Sequence, residues 1–180
     1  VIALLTSRRV QSPAAAVEPS ALRADADWLL AVQTPEGIIT QGIDRVWCVP
    51  YFANIGARGL AAAYGATWDA RYAEGAWRWL SWYQAHMNPS GFVTDYRLVN
   101  GTWTSTGSMD STDAYAATFL SALGELYRTT GNRTRLEGYR TGIAKAAAAI
   151  DATTDSDGLT WAKPDYRMKY LMDNAEVYEG

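Results

Sequence analysis

Two segments of this chain begin with the same pattern of side chains, and that repetition restricts the fold more than any other feature. Residues 110–115 (Asp-Ser-Thr-Asp-Ala-Tyr) are matched in register by residues 173–178 (Asp-Asn-Ala-Glu-Val-Tyr). The first segment opens a run that is apolar around most of its circumference and that ends at Gly131. A helix of that kind is normally buried between other helices. Two such helices with similar starts predict a repeated helical hairpin.

Helices of a second kind alternate with these buried ones. Three segments carry one apolar side and one charged side, which is typical of amphipathic helices on the outside of a protein. These segments are residues 19–33, 68–87 and 132–150. The segment 51–64 is rich in small and apolar residues, and we predict an inner helix there that ends at Gly65. A turn containing glycine follows each outer helix. Those glycines are Gly37, Gly91 and Gly158.

The spacing of the turns decides between repeat architectures. The three glycines lie 54 and 67 residues apart, which is too far for tetratricopeptide or ankyrin repeats. Residues 92–106 alternate in polarity around Asn100-Gly101, the strongest short-range signal of a β-hairpin. We therefore predict an all-α fold, an (α/α) toroid of about two and a half to three helical hairpins, with a small β-hairpin near 92–106. An ordinary helical bundle is the alternative, but it gives no reason for long loops at one end.

The turns and the inner-helix openings MDSTDAYAATFL and LMDNAEVYEG resemble the six-hairpin glycosidase superfamily, the (α/α)6 barrels. The resemblance implies inner helices around an axis and a sugar-binding cleft where the long loops gather. Six hairpins are expected in that superfamily, so the resemblance also implies that residues 19–180 are a partial barrel domain, an N-terminal half or fragment. Residues 1–18 are predicted to be a disordered tail or the remnant of a leader.

Composition excludes several other classes of function. A net charge of −3 and a pI near 5.1 argue against nucleic acid as a partner. With Cys48 and His86 as the single cysteine and histidine, a Cys/His zinc site is hard to build, and we expect no metal and no cofactor. No stretch is long and apolar enough to span a membrane. A lone cysteine suits the cytoplasm and a clipped leader suits secretion, so both compartments stay open.

Cleavage of a glycosidic bond generally needs two carboxyl groups, one that protonates the leaving oxygen and one that activates water or attacks carbon. Four acids open the predicted inner helices, at the loop end where the resemblance places the site. These candidate catalytic residues are Asp110, Asp113, Asp173 and Glu176. Acids at such positions also cap helices, and Asp173 with Glu176 matches the capping-box pattern. The sequence does not say which one is the acid and which the base or nucleophile.

The same loops and helix starts carry aromatic side chains that suit stacking against sugar rings. The candidate substrate-binding residues are Asp44, Trp47, Tyr51, Tyr96, Trp103, Tyr115, Trp161 and Tyr178. We therefore predict a glycoside hydrolase, or an incomplete fragment of one, that acts on an oligo- or polysaccharide by carboxylate general acid/base catalysis.

Two alternatives remain open at this stage. One is a non-catalytic helical repeat domain that binds carbohydrate or a partner subunit. The other is a polysaccharide lyase, because Tyr51, Asn54 and Arg58 share one face of an inner helix. A partial barrel also exposes the sides of its inner helices, a patch that monomers avoid. A homodimer or a swapped assembly through that open side would cover it.

Overall fold

The computed structural model describes residues 19–180, and the tail or leader predicted for residues 1–18 lies outside the described residues. The described chain forms seven helices and three short strands. The helices are α1 (Pro19–Val32), α2 (Pro50–Thr67), α3 (Ala70–His86), α4 (Thr112–Thr130), α5 (Arg133–Glu137), α6 (Arg140–Asp151) and α7 (Leu171–Glu179). The strands are β1 (Trp47–Cys48), β2 (Tyr96–Val99) and β3 (Thr102–Ser105).

Helices α2 and α4 form the inner layer and pack along each other. The outer helices α1 and α3 pack on α2, α6 packs on α4, and α7 adds to the inner layer against α4. Small residues such as Ala57 and Ala61 on α2, which are fully buried, allow the inner helices to approach closely. The prediction of an all-α fold made of helical hairpins with a small sheet is confirmed. Within residues 19–180, no helix combines the length and apolar character needed to cross a membrane.

A buried amide joins the two layers. The side-chain nitrogen of Asn54 donates to the carbonyl oxygen of Tyr115 and to the hydroxyl of Thr118, both at 3.1 Å. Its side-chain oxygen accepts a hydrogen bond of 2.9 Å from the indole nitrogen of Trp79. Asn54 is fully buried on α2, so these bonds replace the water that it loses and tie α3 and α4 to the same residue.

The predicted β-hairpin is present. Strands β2 and β3 pair antiparallel around Asn100 and Gly101, whose φ angles of 50° and 78° suit a type I′ turn. A third strand was not predicted: β1 pairs antiparallel with β2, with Trp47 opposite Arg97. At two residues, β1 is too short to show an alternating pattern in the sequence.

One predicted helix boundary is wrong. Helix α2 continues through Gly65 to Thr67, because Trp68 adopts a left-handed φ of 58° and its N–H bonds to the carbonyl of Tyr64. The inner helix predicted to open within residues 110–115 begins at Thr112, and its N-cap Ser111 has extended backbone with φ −141°.

The third inner helix is less buried than its sequence predicted. On α7 only Asp173 is buried, whereas Leu171 and Tyr178 are 89% and 94% exposed.

The predicted outer helix 132–150 is divided into α5 and α6, with the break at Gly138 and Tyr139.

Two of the three turns that follow outer helices rest on the next outer helix along the chain. Gly37 and Gly91 have positive φ angles of 101° and 82°. A Cβ atom at Gly37 would lie 2.8 Å from the carbonyl oxygen of Arg78 on α3, and one at Gly91 would lie 2.2 Å from that of Lys145 on α6. Gly158 also has φ 82°, but no atom lies within 4 Å of its Cβ position. Both crowded turns therefore lock neighbouring hairpins together.

These two kinds of turn give a matched pair of substitutions. Gly158→Ala carries only the backbone strain of a left-handed residue, and we expect it to lower the free energy of unfolding by about 1–2 kcal/mol. Gly91→Ala adds a clash with the backbone of α6, and we expect a loss of about 3 kcal/mol or more. Urea denaturation of both variants measures the difference. Equal losses would show that the contact with Lys145 carries no weight.

Candidate functional site

The amino-terminal ends of the three inner helices meet at one cleft of about 270 Å³. Tyr51 lies in the first turn of α2, Ser111 occupies the N-cap position of α4, and Asp173 lies in the first turn of α7. The lining consists of Val49, Tyr51, Phe52, Ile55, Asp110, Ser111, Tyr115, Met172 and Asp173. Aromatic and apolar walls around two carboxyl groups suit the amphipathic faces of a sugar ring.

Asp173 is the buried acid that faces this cleft. It is 6% exposed, and no other residue of the described chain donates a hydrogen bond to its carboxylate. Burial, followed by the negative charges of Asp113, Glu176 and Asp110, raises the pKa of Asp173 to about 6. A carboxyl group with such a pKa keeps a proton that it can donate near neutral pH.

Asp113 lies behind the cleft and does not line it. It is fully buried, and its carboxylate oxygens accept hydrogen bonds of 2.6 Å from the hydroxyl of Thr160 and 2.8 Å from the backbone N–H of Ala114. Burial raises the pKa of Asp113, while these donors act in the opposite direction because they favour the charged form. Asp113 therefore receives the support for a negative charge that Asp173 lacks.

Glu176 is held by a tyrosine rather than by a helix start. The hydroxyl of Tyr51 donates to one carboxylate oxygen of Glu176 at 2.5 Å. The other oxygen is buried without a hydrogen-bond partner in residues 19–180, and burial raises the pKa of Glu176. The N-cap of α7 is Tyr170, so Glu176 lies in the second turn. The capping-box interpretation of Asp173 with Glu176 is therefore wrong.

Tyr115 fixes the loop that carries Asp110. Its hydroxyl donates to Asp95 at 2.8 Å and accepts a long hydrogen bond of 3.4 Å from the backbone N–H of Asp110. Burial raises the pKa of Asp95, which is half-buried. The ring centroids of Tyr51 and Tyr115 lie 6.1 Å apart. Both rings line the cleft, and Asp110 lies at the same cleft.

The remaining candidate substrate-binding residues lie outside the lining of this cleft. Tyr96 packs edge-on against Trp82, and Trp161 lies beneath the guanidinium of Arg167 at 4.3 Å. Trp47 and Trp103 are half-buried in strands β1 and β3, while Asp44 and Tyr178 are exposed. A role for these six residues in binding sugar stays a prediction.

The structure also places residues at the site that the sequence did not single out. Phe52, Ile55 and Met172 line the cleft, and Thr160 and Asn174 bond to each other behind it. Phe52 and Ile55 could have been found from the sequence, since they share a side of α2 with Tyr51. No local pattern points to Thr160, because its carboxylate partner is 47 residues away in the chain.

The lyase alternative depends on Tyr51, Asn54 and Arg58, and all three side chains form hydrogen bonds within the protein. Asn54 is fully buried and fully hydrogen-bonded, Arg58 forms a two-pronged ion pair with Glu179, and Tyr51 donates to Glu176. Proton abstraction by Tyr51 is further disfavoured because burial, with Glu176 second, raises its pKa. The arrangement favours acid catalysis over elimination.

A larger cavity, of about 580 Å³, lies elsewhere, on the outer face between α3 and the α5–α6 region. Its acids are Glu36 and Glu74, and Glu74 is paired with Arg135 at 2.6 Å. The carboxyl groups that crowd one another lie at the smaller cleft, so we place the candidate site there. No three His, Cys, Asp or Glu side chains in residues 19–180 are grouped to hold a metal ion.

Comparisons with known proteins agree with this geometry at the level of the fold. No family model and no curated protein matches the chain. The crystal structure of the unsaturated glucuronyl hydrolase from Bacillus sp. GL1 matches with a TM-score of 0.63, over 89% of this chain at 16% identity. A structure named as a UGL variant with dGlcA-Glc-Rha-Glc gives a TM-score of 0.62, also at 16% identity.

These likenesses show that the chain shares the helical-hairpin fold of the two neighbours. The chain spans about half the length of both neighbours, 48% in each case. The sequence-based recognition of helical hairpins of the glycosidase type is thus confirmed for the fold. Catalytic roles for Asp110, Asp113, Asp173 and Glu176 stay predictions.

The raised pKa of Asp173 makes stability depend on pH. The folded chain binds this proton more tightly than the unfolded chain, so the stabilisation is complete below about pH 4 and is lost as pH rises through 6. We expect Asp173→Asn to raise the free energy of unfolding at pH 8 by about 1 kcal/mol, allowing for solvent screening, and to leave it unchanged at pH 4.

Urea denaturation at both pH values measures this difference. Asp151→Asn, at the exposed end of α6, is the matched control and should change stability little at either pH. An equal loss of stability at pH 4 and pH 8 in Asp173→Asn would contradict the assignment of a buried, proton-binding carboxyl group.

Proposed function

We propose that this chain supplies one wall of a glycoside hydrolase site, in which Asp173 protonates the oxygen of the scissile glycosidic bond. The observation that carries this proposal is a cleft bordered by two carboxyl groups of opposite character. Asp173 is buried, receives no hydrogen bond from another residue of the described chain and has a pKa of about 6, while Asp110 is exposed at the same cleft. Hydrolysis by general acid/base catalysis needs one carboxyl group that holds a proton and one that can take a proton from water.

The reaction follows from these two positions. The O–H bond of the Asp173 carboxyl group breaks as its proton passes to the glycosidic oxygen, and the bond from that oxygen to the anomeric carbon breaks with it. Asp110 takes a proton from water, and the oxygen of that water forms the new bond to the anomeric carbon. Buried Asp113 repels negative charge on Asp173 and so helps to retain its proton, and Glu176 adds to that field.

Turnover of a panel of aryl glycosides and oligosaccharides tests the proposal. The panel includes an unsaturated glucuronyl disaccharide because one structural neighbour is an unsaturated glucuronyl hydrolase. We expect Asp173→Asn and Asp110→Asn to lower kcat/KM by about 10²–10⁴-fold, the usual contribution of general acid/base catalysis. Asp113→Asn and Glu176→Gln act through Asp173, so we expect smaller losses and a basic limb of the pH profile below pH 6.

Asp151→Asn is again the control and should retain the activity of the unsubstituted chain. If all four acids can be replaced one at a time without loss of activity, the assignment of the site is wrong. A pH profile without a basic limb would remove Asp173 from the role of proton donor.

A non-catalytic domain that binds carbohydrate or a partner subunit is the second candidate. The observation in its favour is the exposed apolar side near α7, where Leu171, Met172 and Tyr178 are 62–94% exposed beside Phe52 and Ile55 on α2. A second copy or a swapped assembly would cover that side. Binding of oligosaccharides without turnover, together with a concentration-dependent dimer in sedimentation, would favour this candidate.

A further inference from the structure

We propose that Thr160 is a positioning residue. Its hydroxyl orients the carboxylate of Asp113, and it thereby keeps on Asp173 the proton that the acid cluster (Asp110, Asp113, Asp173 and Glu176) shares. Asn174 in turn holds Thr160 in place. This inference rests on the proposed function, because it concerns how Asp173, the proposed proton donor of the same cleft, stays protonated. Neither residue touches the cleft itself, so both act through the two aspartates.

The contacts form one chain between the two acids. The hydroxyl of Thr160, which is 1% exposed, donates to Asp113 at 2.6 Å. The side chain of Asn174 accepts from the backbone N–H of Thr160 at 2.8 Å and donates to its carbonyl at 3.1 Å. Asn174 directly follows Asp173 on α7. The loop that carries Thr160 is therefore fixed to the residue beside one acid while its hydroxyl is fixed to the other.

The single proton of the Thr160 hydroxyl goes to Asp113. The hydroxyl oxygen also lies 3.3 Å from the side-chain oxygen of Asn174, but the contact with Asp113 is shorter by a wide margin. A hydroxyl that donates to a carboxylate favours its ionised form. The side-chain amide of Asn174 is meanwhile engaged with the backbone of Thr160, so it does not compete for Asp113.

Other hydroxyls of the same loop behave differently. Thr153 is fully buried, and its hydroxyl donates to the carbonyl oxygen of Ile150 at 2.8 Å. Thr154 bonds to that same carbonyl at 2.9 Å. These two bonds close the end of α6 and involve no titratable group. Thr160 is the one hydroxyl in the α6–α7 connection, within the described chain, that donates to a carboxylate of the cleft cluster.

Asp113 titrates among several charged neighbours, and the proton is shared between them. Loss of the Thr160 hydroxyl makes Asp113 a better competitor for that proton, so part of the population carries it on Asp113 instead of Asp173. The groups that face this cluster are Asp173 and Glu176 from α7, Asp110 from the loop before α4, Tyr51 from α2, and Tyr170 at the N-cap of α7.

Thr160→Val, which keeps the shape of the side chain and removes the hydroxyl, tests the inference. We expect the basic limb of the pH profile to move down by about one pH unit and kcat to fall about tenfold, because Asp113 loses a hydrogen bond to its charged form and takes the proton from Asp173. Thr160→Ser restores the hydroxyl and should return both quantities towards those of the unsubstituted chain. Thr153→Val removes an equally buried hydroxyl from the same loop and should leave the profile in place.

A readout that does not need activity separates this inference from the proposed function. The shift of the Asp113 carboxyl carbon, followed by NMR against pH in the ¹³C-labelled chain, reports its titration directly. We expect Thr160→Val, and to a smaller extent Asn174→Ala, to raise the titration midpoint of Asp113. An unchanged midpoint in Thr160→Val, or a failure of Thr160→Ser to restore it, overturns the inference. A raised midpoint in a chain that hydrolyses no glycoside supports the positioning contact and defeats the hydrolase proposal.

Discussion

The arrangement of helices depends on the side-chain amide of Asn54, whose nitrogen and oxygen both form hydrogen bonds in the core. A buried amide without hydrogen bonds would destabilise the fold by more free energy than most single apolar contacts contribute. Helices α2, α3 and α4 therefore keep the spacing at which Asn54 forms its hydrogen bonds. The hydroxyl of buried Tyr83 donates to the same carbonyl of Tyr115 at 2.9 Å. The starts of α2 and α4 are thereby held at a set distance, and Tyr51 and Tyr115 project into the cleft from those starts.

The acids at the cleft are unequal because the fold distributes hydrogen-bond donors unequally. Asp113 has a hydroxyl and a backbone N–H, Glu176 has the hydroxyl of Tyr51, and Asp173 has no donor from another residue of the described chain. Buried carboxyl groups at one place cannot all ionise, so the group with the least support retains the proton. The same asymmetry that weakens the folded chain at high pH gives the site a proton to transfer.

Periodic patterns in the sequence predicted the hairpins and the β-turn at Asn100 because those features depend on neighbours a few residues away. The extension of α2 to Thr67 depends on Trp68 adopting a left-handed backbone, which its residue type does not favour. The sequence also grouped Asp110 and Asp113 as equals. The hydrogen bond from Thr160, which lies on another hairpin, to buried Asp113 distinguishes the two acids, and no local pattern encodes a contact of that kind.

The three turn glycines share a backbone conformation but differ in what surrounds them. Beside Gly37 and Gly91 the backbone of the neighbouring hairpin leaves no room for a side chain, whereas the space at Gly158 is open. Among natural variants of this chain, we therefore expect glycine to be retained at the first two positions, because the neighbouring backbone excludes a side chain. At the third position, asparagine, which reaches left-handed backbone at little cost, should be an accepted replacement.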